Sequence, residues 1–324
     1  TFLNLTDPPT MKELGKGYIA RLVLGLLAID RLHKWKVELE PYEVEKGSVE
    51  RVHRENMQMI EDALAKGGFF DALHKAVERM KAIPMRENFG SRPKVGVIGD
   101  IYTRINPHAN SDLYKKLEEM GFEVWASAMM IDIAWLGSEQ WHEELYRKGK
   151  FLDALFALGM LPFTKAVRWL VNRKFPRTIR TPEERHFYDV KKACERVCSY
   201  WIDRLISMNI ARIEDFVESG ASGVLNVMCH NCMIGTITAS LLPVLQEESN
   251  TTFLSTLIYE ALKSTHNDNR LQAFADQIKE RSARELTVLH GSTFMENRAC
   301  TISQSRFSEC HKWPEVGNAE SKRQ

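Results

Sequence analysis

The sequence lacks an excess of charge: 44 Lys and Arg face 43 Asp and Glu over 324 residues, a net of +1. A surface so balanced offers no electrostatic footprint for nucleic acid or for an anionic membrane. It also lacks a long uncharged apolar run. The greasiest stretches, 18–29 and 151–171, are interrupted by Arg21 in the first and by Asp153, Pro162, Lys165 and Arg168 in the second. Neither crosses a bilayer cheaply. No basic-then-apolar leader opens the chain, and six cysteines in this length are too few for a disulfide scaffold. These absences point to a reducing, cytoplasmic setting with no membrane span. The first residue is Thr1 rather than Met, as expected for a portion of a longer polypeptide.

Several catalytic motifs are missing as well. There is no Walker A loop, and Trp141-His142-Glu143-Glu144 does not continue to the second His of a zinc-protease helix. Ser219-Gly220-Ala221-Ser222-Gly223 is not a nucleophile elbow. Gly96 and Gly99 form Gly-x-x-Gly-Asp, short of the Gly-x-Gly-x-x-Gly turn that cradles a dinucleotide pyrophosphate. Hydrolytic chemistry and Rossmann-type nicotinamide or flavin binding lose support accordingly.

What is present is a 44% apolar chain, enough to bury real cores at this length. From about Met11 to Ala82 the pattern is helical: Ile19, Leu22, Val23, Leu26 and Leu27 recur at helical spacing, and Val52, Met57, Ile60 and Leu64 do so again. Ser48 is placed to cap the second helix, and Gly67-Gly68 to end it. After the polar linker 86–93 the texture becomes alternating strand and helix, which predicts a parallel sheet layered with helices. Strands are expected at 94–98, 122–126, 223–228 and 252–257. Asn110 should cap a helix carrying Leu113, Leu117 and Met120. Tyr188 to Met208 reads as one helix, Ile213 to Ser219 as a shorter one, Thr236 to Gln246 as helical despite Pro243, and Asn269 to Arg281 as the closing helix. The expected fold is α/β, a Rossmann-like parallel-sheet domain with a helical insertion, preceded by an α-helical segment. Its predicted organisation is a helical segment over 1–90, the sheet domain over 91–285 with the insertion at about 131–176, and a weakly structured tail over 286–324. Trp135, Trp141, Leu145, Leu152, Phe156 and Leu161 give the insertion an apolar surface.

The sharpest local feature is Cys229-His230-Asn231-Cys232, which ends a buried strand just before a helix. In open α/β sheets ligands bind beyond the carboxyl ends of the strands. A helix N-terminus directs free N–H groups and a positive dipole end there, favouring thiolate and an anionic metal-sulfur centre. Gly235 permits close approach of the helix. Spacing alone leaves four readings open: a metal or cluster site, half of a zinc site with His230, a thioredoxin-like dithiol, or plain buried cysteine. Cys194 and Cys198, four apart, could clamp a metal, but Val197, Trp201 and Leu205 share their face, which favours a core stripe. Cys300 and Cys310 lie in the tail and are taken as incidental. The loop after the first strand, Asp100 to Asn110, is dense in polar residues. Arg104 there is placed either to hold a phosphate or carboxylate or to pair with Asp100, with Asn106 and Asn110 as turn and cap residues.

Two of these segments together resemble a known family. Val95 to Pro107, with Gly99-Asp100-Ile101-Tyr102-Thr103-Arg104 at its centre, is similar to the "GEIYVR-NPF-N" segment of the 2-hydroxyacyl-CoA dehydratase-like proteins related to acyl-CoA dehydratase activases. Gly223 to Ile237 resembles that family's "G-NVMPF-CMPGTI". Ala28-Ile29-Asp30 with Pro41-Tyr42-Glu43, and Asn269 to Phe274, match further segments in the same order, so the resemblance covers about residues 15 to 283. It implies stacked Rossmann-like domains holding a 4Fe-4S or double-cubane cluster. It also implies very-low-potential electron transfer, driven by a separate ATP-hydrolysing activase or partner redox subunit, to an acyl-CoA-type substrate. Carried over, Cys232 matches the family's cysteine after the strand and is the expected cluster ligand, with Cys229 as a second. Gly235 and Thr236 would support the cluster through backbone amides and a hydroxyl, and Asp100, Tyr102 and Arg104 would position the substrate. Departures are the family's Pro-Phe, here Cys229-His230, its later Pro, here Ile234, and its Glu, here Asp100. No cysteine precedes Cys194, so the rest of the ligand set is expected from an upstream domain or a partner chain. The activase's own ATPase motif is missing, and ATP binding is not expected. The resulting expectation is an iron-sulfur redox component, incomplete alone. The alternatives are a non-catalytic binding or assembly module and a zinc or dithiol protein using Cys229 and Cys232.

Overall fold

The computed structural model describes residues 16–127, 142, 144–185, 187–249, 252–259 and 266–281. Trp135 and Trp141 of the expected insertion lie outside them, as does the tail with Cys300 and Cys310. One compact unit closes at Ile278.

Strands β1 (Lys94–Gly99), β2 (Glu123–Ala126), β3 (Gly223–Cys229) and β4 (Phe253–Tyr259) form a parallel sheet in the order β2-β1-β3-β4. Along them the side chains alternate between two cores. Val95, Val97, Leu225 and Val227 join Leu113, Leu117 and Phe274 on one face, while Ile98, Trp125 and Val224 join Ile206, Ile210 and Phe216 on the other. A sheet buried on both faces selects near-continuous apolar strands, which is why short Val- and Ile-rich runs marked them in the sequence. Gly96 is required by this layering, since a Cβ there would sit 2.2 Å from the Phe216 ring. The fold is α/β and Rossmann-like, preceded by helices. From β1 the chain steps outward to β2 and then returns to the other side of β1 as β3, so the β1/β3 boundary is the topological switch point.

Helices α1 (Lys16–Leu39), α2 (Ser48–Lys66) and α3 (Phe69–Lys81) come first. Next are α4 (Ile101–Ile105), α5 (Leu113–Glu119), α6 (Phe151–Asn172), α7 (Phe187–Glu195), α8 (Arg204–Glu218) and α9 (Met233–Glu248), which carries Pro243 inside it. A closing helix, α10, runs over 266–281. Leu27, Leu32 and Trp35 of α1 share a core with Ile60, Leu73 and Val171, while its Val37 belongs to the core under the sheet. Being buried on more than one side, α1 also buries Asp30, Lys34 and Glu38. Buried charge needs partners: Lys34 lies 3.6 Å from Asp30 and pairs with Glu184. Glu38 accepts the Arg180 and Thr181 amides at 2.9 and 3.0 Å.

Two expectations about helices are corrected. Ser48 does not cap α2: Gly47, at φ +88°, holds the cap position, and the upstream Glu43 carboxylate accepts the Gly47 amide, the Val49 amide at 2.9 Å and the Ser48 hydroxyl at 3.2 Å. The single helix over 188–208 is two helices. Asp203 starts α8 by accepting the Leu205 amide at 2.7 Å, and the expected short helix from Ile213 is the later part of α8. In the insertion, Leu145 packs with Ala154, whereas Phe151, Leu152, Leu155 and Trp169 of α6 are exposed, Leu152 by 84%. Among the described residues no helix is long and apolar enough to cross a membrane.

At the amino edge of the sheet lies a closed polar cluster. The fully buried Glu123 accepts the Trp125 indole N–H at 2.8 Å and the Tyr42 hydroxyl at 2.7 Å, and Arg180 grips both its oxygens at 3.1 and 2.7 Å. The guanidinium also stands 4.1 Å over the Phe89 ring.

Candidate functional site

The opposite edge is built differently. Strand β3 ends at Cys229, and the chain turns through His230 and Asn231 before α9 begins. Asn231 makes the turn possible by adopting φ +58°, a left-handed conformation that Asn tolerates better than most residues. The turn closes with the Cys232 amide donating to the Cys229 carbonyl at 3.2 Å, while the His230 amide donates to Tyr259 at the end of β4 at 3.1 Å.

Cys232 is the N-cap of α9: its sulfur accepts the Gly235 amide at 3.5 Å and its carbonyl the Thr236 amide at 2.9 Å. The first-turn amides of Met233 and Ile234 have no intrahelical acceptor. The Gly235 amide is thus turned to the Cys232 sulfur as expected, whereas the Thr236 amide is taken up by the Cys232 carbonyl. Gly235 does permit the close approach expected of it, since a Cβ would lie 2.4 Å from Met228. The Thr236 side chain is exposed.

The other rim is the exit of β1. Gly99, at φ +112°, passes so near β3 that a Cβ would be 2.1 Å from the Val227 carbonyl. That carbonyl accepts the Asp100 amide at 2.8 Å, tying the two strand ends together. Asp100 caps α4, accepting the Thr103 amide at 2.8 Å and its hydroxyl at 2.6 Å. Its charge reaches the exposed Cys229 thiol, whose pKa is pushed up by partial burial first, then by Cys232 and Asp100.

The structure thus brings Asp100, Cys229 and Cys232 to one crevice at the switch point. Tyr102, 65% exposed, sits on α4 beside it. Arg104 is elsewhere: it is 0% exposed, its charge acts on the buried Tyr114 phenol together with Asp30 of α1, and its carbonyl accepts from Asn110 at 3.1 Å. Asn106 and Asn110 are turn and cap residues: Asn106 Oδ1 accepts the His108 amide at 3.0 Å, and Asn110 Oδ1 accepts the Leu113 amide at 3.1 Å.

Sequence reasoning missed the polar residues beneath the crevice. Asn209 of α8 accepts the Gly99 amide at 3.1 Å and donates to Thr238 of α9 at 3.3 Å. Asn226 of β3 donates to the Gly235 carbonyl at 3.1 Å and to Thr256 at 3.4 Å, while its buried Oδ1 has no hydrogen-bond partner among the described residues. The available signal was polarity out of place: an Asn inside an apolar strand, and another inside the apolar stripe of a helix.

As a donor set, two thiols on a tight turn fit one side of a thiolate-held centre. Among the described residues no group of three or more His, Cys, Asp or Glu side chains is arranged to hold a metal ion. No family model matches the sequence, and no curated protein or solved structure matches it either.

Proposed function

We propose that this chain contributes Cys232 and Cys229 to an iron-sulfur cluster completed by another chain or an upstream domain. In this reading it acts as a component of activase-driven, low-potential electron transfer to an acyl-CoA-type substrate, as the resemblance to 2-hydroxyacyl-CoA dehydratase-like proteins implies. One observation carries the reading: both thiols stand at the β1/β3 switch point, on a turn that aims them off the sheet edge at the start of a 16-residue helix. When bound, such a cluster supplies one-electron chemistry. The chain's own residues hold and surround it. Cys232 and Cys229 are the ligands, the Met233 and Ile234 amides face its negative charge, and Asn226 and Asn209 fix the backbone of both rims. Tyr102 stands where a substrate would meet the rim, Asp100 sets the charge of that rim, and Arg104 lies buried.

Partial burial, Cys232 and Asp100 raise the Cys229 thiol, so Cys229 is not set up as the attacking thiol of a dithiol pair. Metal ligation is compatible with a raised value, because a bound metal deprotonates its thiols outright. The exposed apolar side chains of α6 favour a second reading, in which the chain also serves as an assembly module.

The test is anaerobic reconstitution of the full chain with ferrous iron and sulfide, followed by iron analysis and alkylation mapping of cysteines. Because a second copy of the chain can supply the two remaining thiolates in this test, bound iron with Cys229 and Cys232 protected is expected, with both lost in Cys232→Ala. A colourless wild-type chain whose two cysteines remain fully alkylated would overturn the proposal. Protection by zinc but not by iron would replace it with a zinc site.

A further inference from the structure

We propose that Cys194 and Cys198 form a second dithiol site, which closes reversibly into an intramolecular disulfide by exchange with a small disulfide. Their sulfurs are 3.4 Å apart. A disulfide bond is about 2.05 Å long, so closure asks for a movement of about 1.4 Å at the ends of two short side chains. The backbone already draws them together, because α7 ends there with the Val197 and Cys198 amides both donating to the Cys194 carbonyl, at 3.0 and 2.9 Å. Residues 199–203, outside any helix, can absorb the adjustment.

The two thiols differ in access, which sets the order of events. Cys194 is buried and Cys198 partly exposed, so an incoming disulfide meets Cys198 first. The Ser207 hydroxyl donates to the Asp203 and Tyr200 carbonyls at 2.9 and 3.1 Å and stands 3.4 Å from the Cys194 sulfur. It therefore accepts the Cys194 S–H, leaving a sulfur lone pair for Cys198. Burial pushes the Cys194 thiol up to about 12, which keeps its thiolate scarce, so closure rests on the 3.4 Å proximity of Cys198.

The exchange balances. The Cys198 thiolate attacks one sulfur of the small disulfide, forming a mixed disulfide and releasing one thiolate, which takes up a proton. Cys194 then loses its proton and attacks the Cys198 sulfur, releasing the second thiol. Two protein thiols are oxidised and one small disulfide is reduced to two thiols. The pair is separate from Cys229 and Cys232, so this inference stands or falls independently of the cluster.

The full chain, reduced and then equilibrated with reduced and oxidised glutathione, is quenched in acid, alkylated and digested with trypsin. Lys192, Arg196 and Arg204 flank the cysteines, so cleavage separates 193–196 from 197–204 and a Cys194–Cys198 bond appears as a linked peptide pair. That pair is expected, vanishing with dithiothreitol. Cys194→Ser should trap Cys198 as a stable glutathione adduct, and Cys198→Ser should leave Cys194 unmodified. A wild-type chain that accumulates the Cys198 adduct with Cys194 free, that links Cys198 to any other cysteine, or that stays fully reduced in excess oxidised glutathione overturns the proposal.

Discussion

The two edges of the sheet use polar groups in opposite ways. At the amino edge both oxygens of Glu123 are saturated by Arg180, Tyr42 and Trp125, and the guanidinium is stacked on Phe89. At the carboxyl edge Cys229 is exposed, Cys232 accepts a single amide at 3.5 Å, and Asn226 keeps a buried acceptor without a hydrogen-bond partner among the described residues. A closed network at one edge holds the scaffold, and unused donor capacity at the other is what a ligand can engage. Parallel α/β sheets carry ligands at this second edge because helix N-termini, not C-termini, converge there.

The comparison breaks most visibly if the amino edge is opened. Glu123→Gln leaves Arg180 beside a neutral amide and should cost about 3–5 kcal/mol, read from the denaturant midpoint, with iron uptake by the surviving folded fraction unchanged. A cost under about 1 kcal/mol would mean that the cluster is decorative. Acid should act through neither edge but at the contact of α1 with α2 and α5. Burial, reinforced by Lys36, holds His33 and His53 down to about 4, against an ordinary value of 6.5. Because the folded values are the lower ones, the unfolded chain binds more protons between pH 4 and 6.5. The histidines' contribution is full above pH 6.5 and falls toward pH 4, by up to about 1.4 kcal/mol per pH unit each, against an opposite contribution from Glu40, which burial raises to about 7. Thermal melts across that range check the slope, and His33→Phe should flatten it.

At the carboxyl edge Gly99→Ala places a methyl group on the Val227 carbonyl at a positive φ and should cost roughly 1–3 kcal/mol in a melt while separating the two rims. The smallest effect on stability belongs to the proposed cluster ligand. Cys232→Ala removes a weak cap, about 0.5–1 kcal/mol by chemical denaturation, yet should abolish cluster assembly. A large loss of stability there would make Cys232 structural and erase the contrast between the edges.

Much of the scaffold was legible because its signals are local. Buried runs such as Val95 to Ile98 and the Asn110 cap are read over a few residues. The α7/α8 break was not, because Cys194, Val197, Trp201 and Leu205 keep helical spacing across a stretch that is not helical. What interrupts it is the Asp203 cap, whose strength the periodicity hides. At the site, the cysteine pair and Gly235 announced themselves by type and spacing. Arg104 misled because neighbouring positions on a five-residue helix point in very different directions. Position 104 is buried, and its charge acts on Tyr114 of α5, as that of Asp30 of α1 also does. The Asn209 and Asn226 supports were hidden because each acts on backbone far away in sequence.

The connections at the switch point carry one more consequence. A single residue, Asp100, joins β1 to α4, and three residues, His230 to Cys232, join β3 to α9. With Asp100 also tied to Val227, neither connection has slack to lengthen. Diversification of this edge must therefore proceed by exchanging residues in place. Growth by insertion is left to the long stretch between β2 and α6, which can change without disturbing the spacing of the thiols.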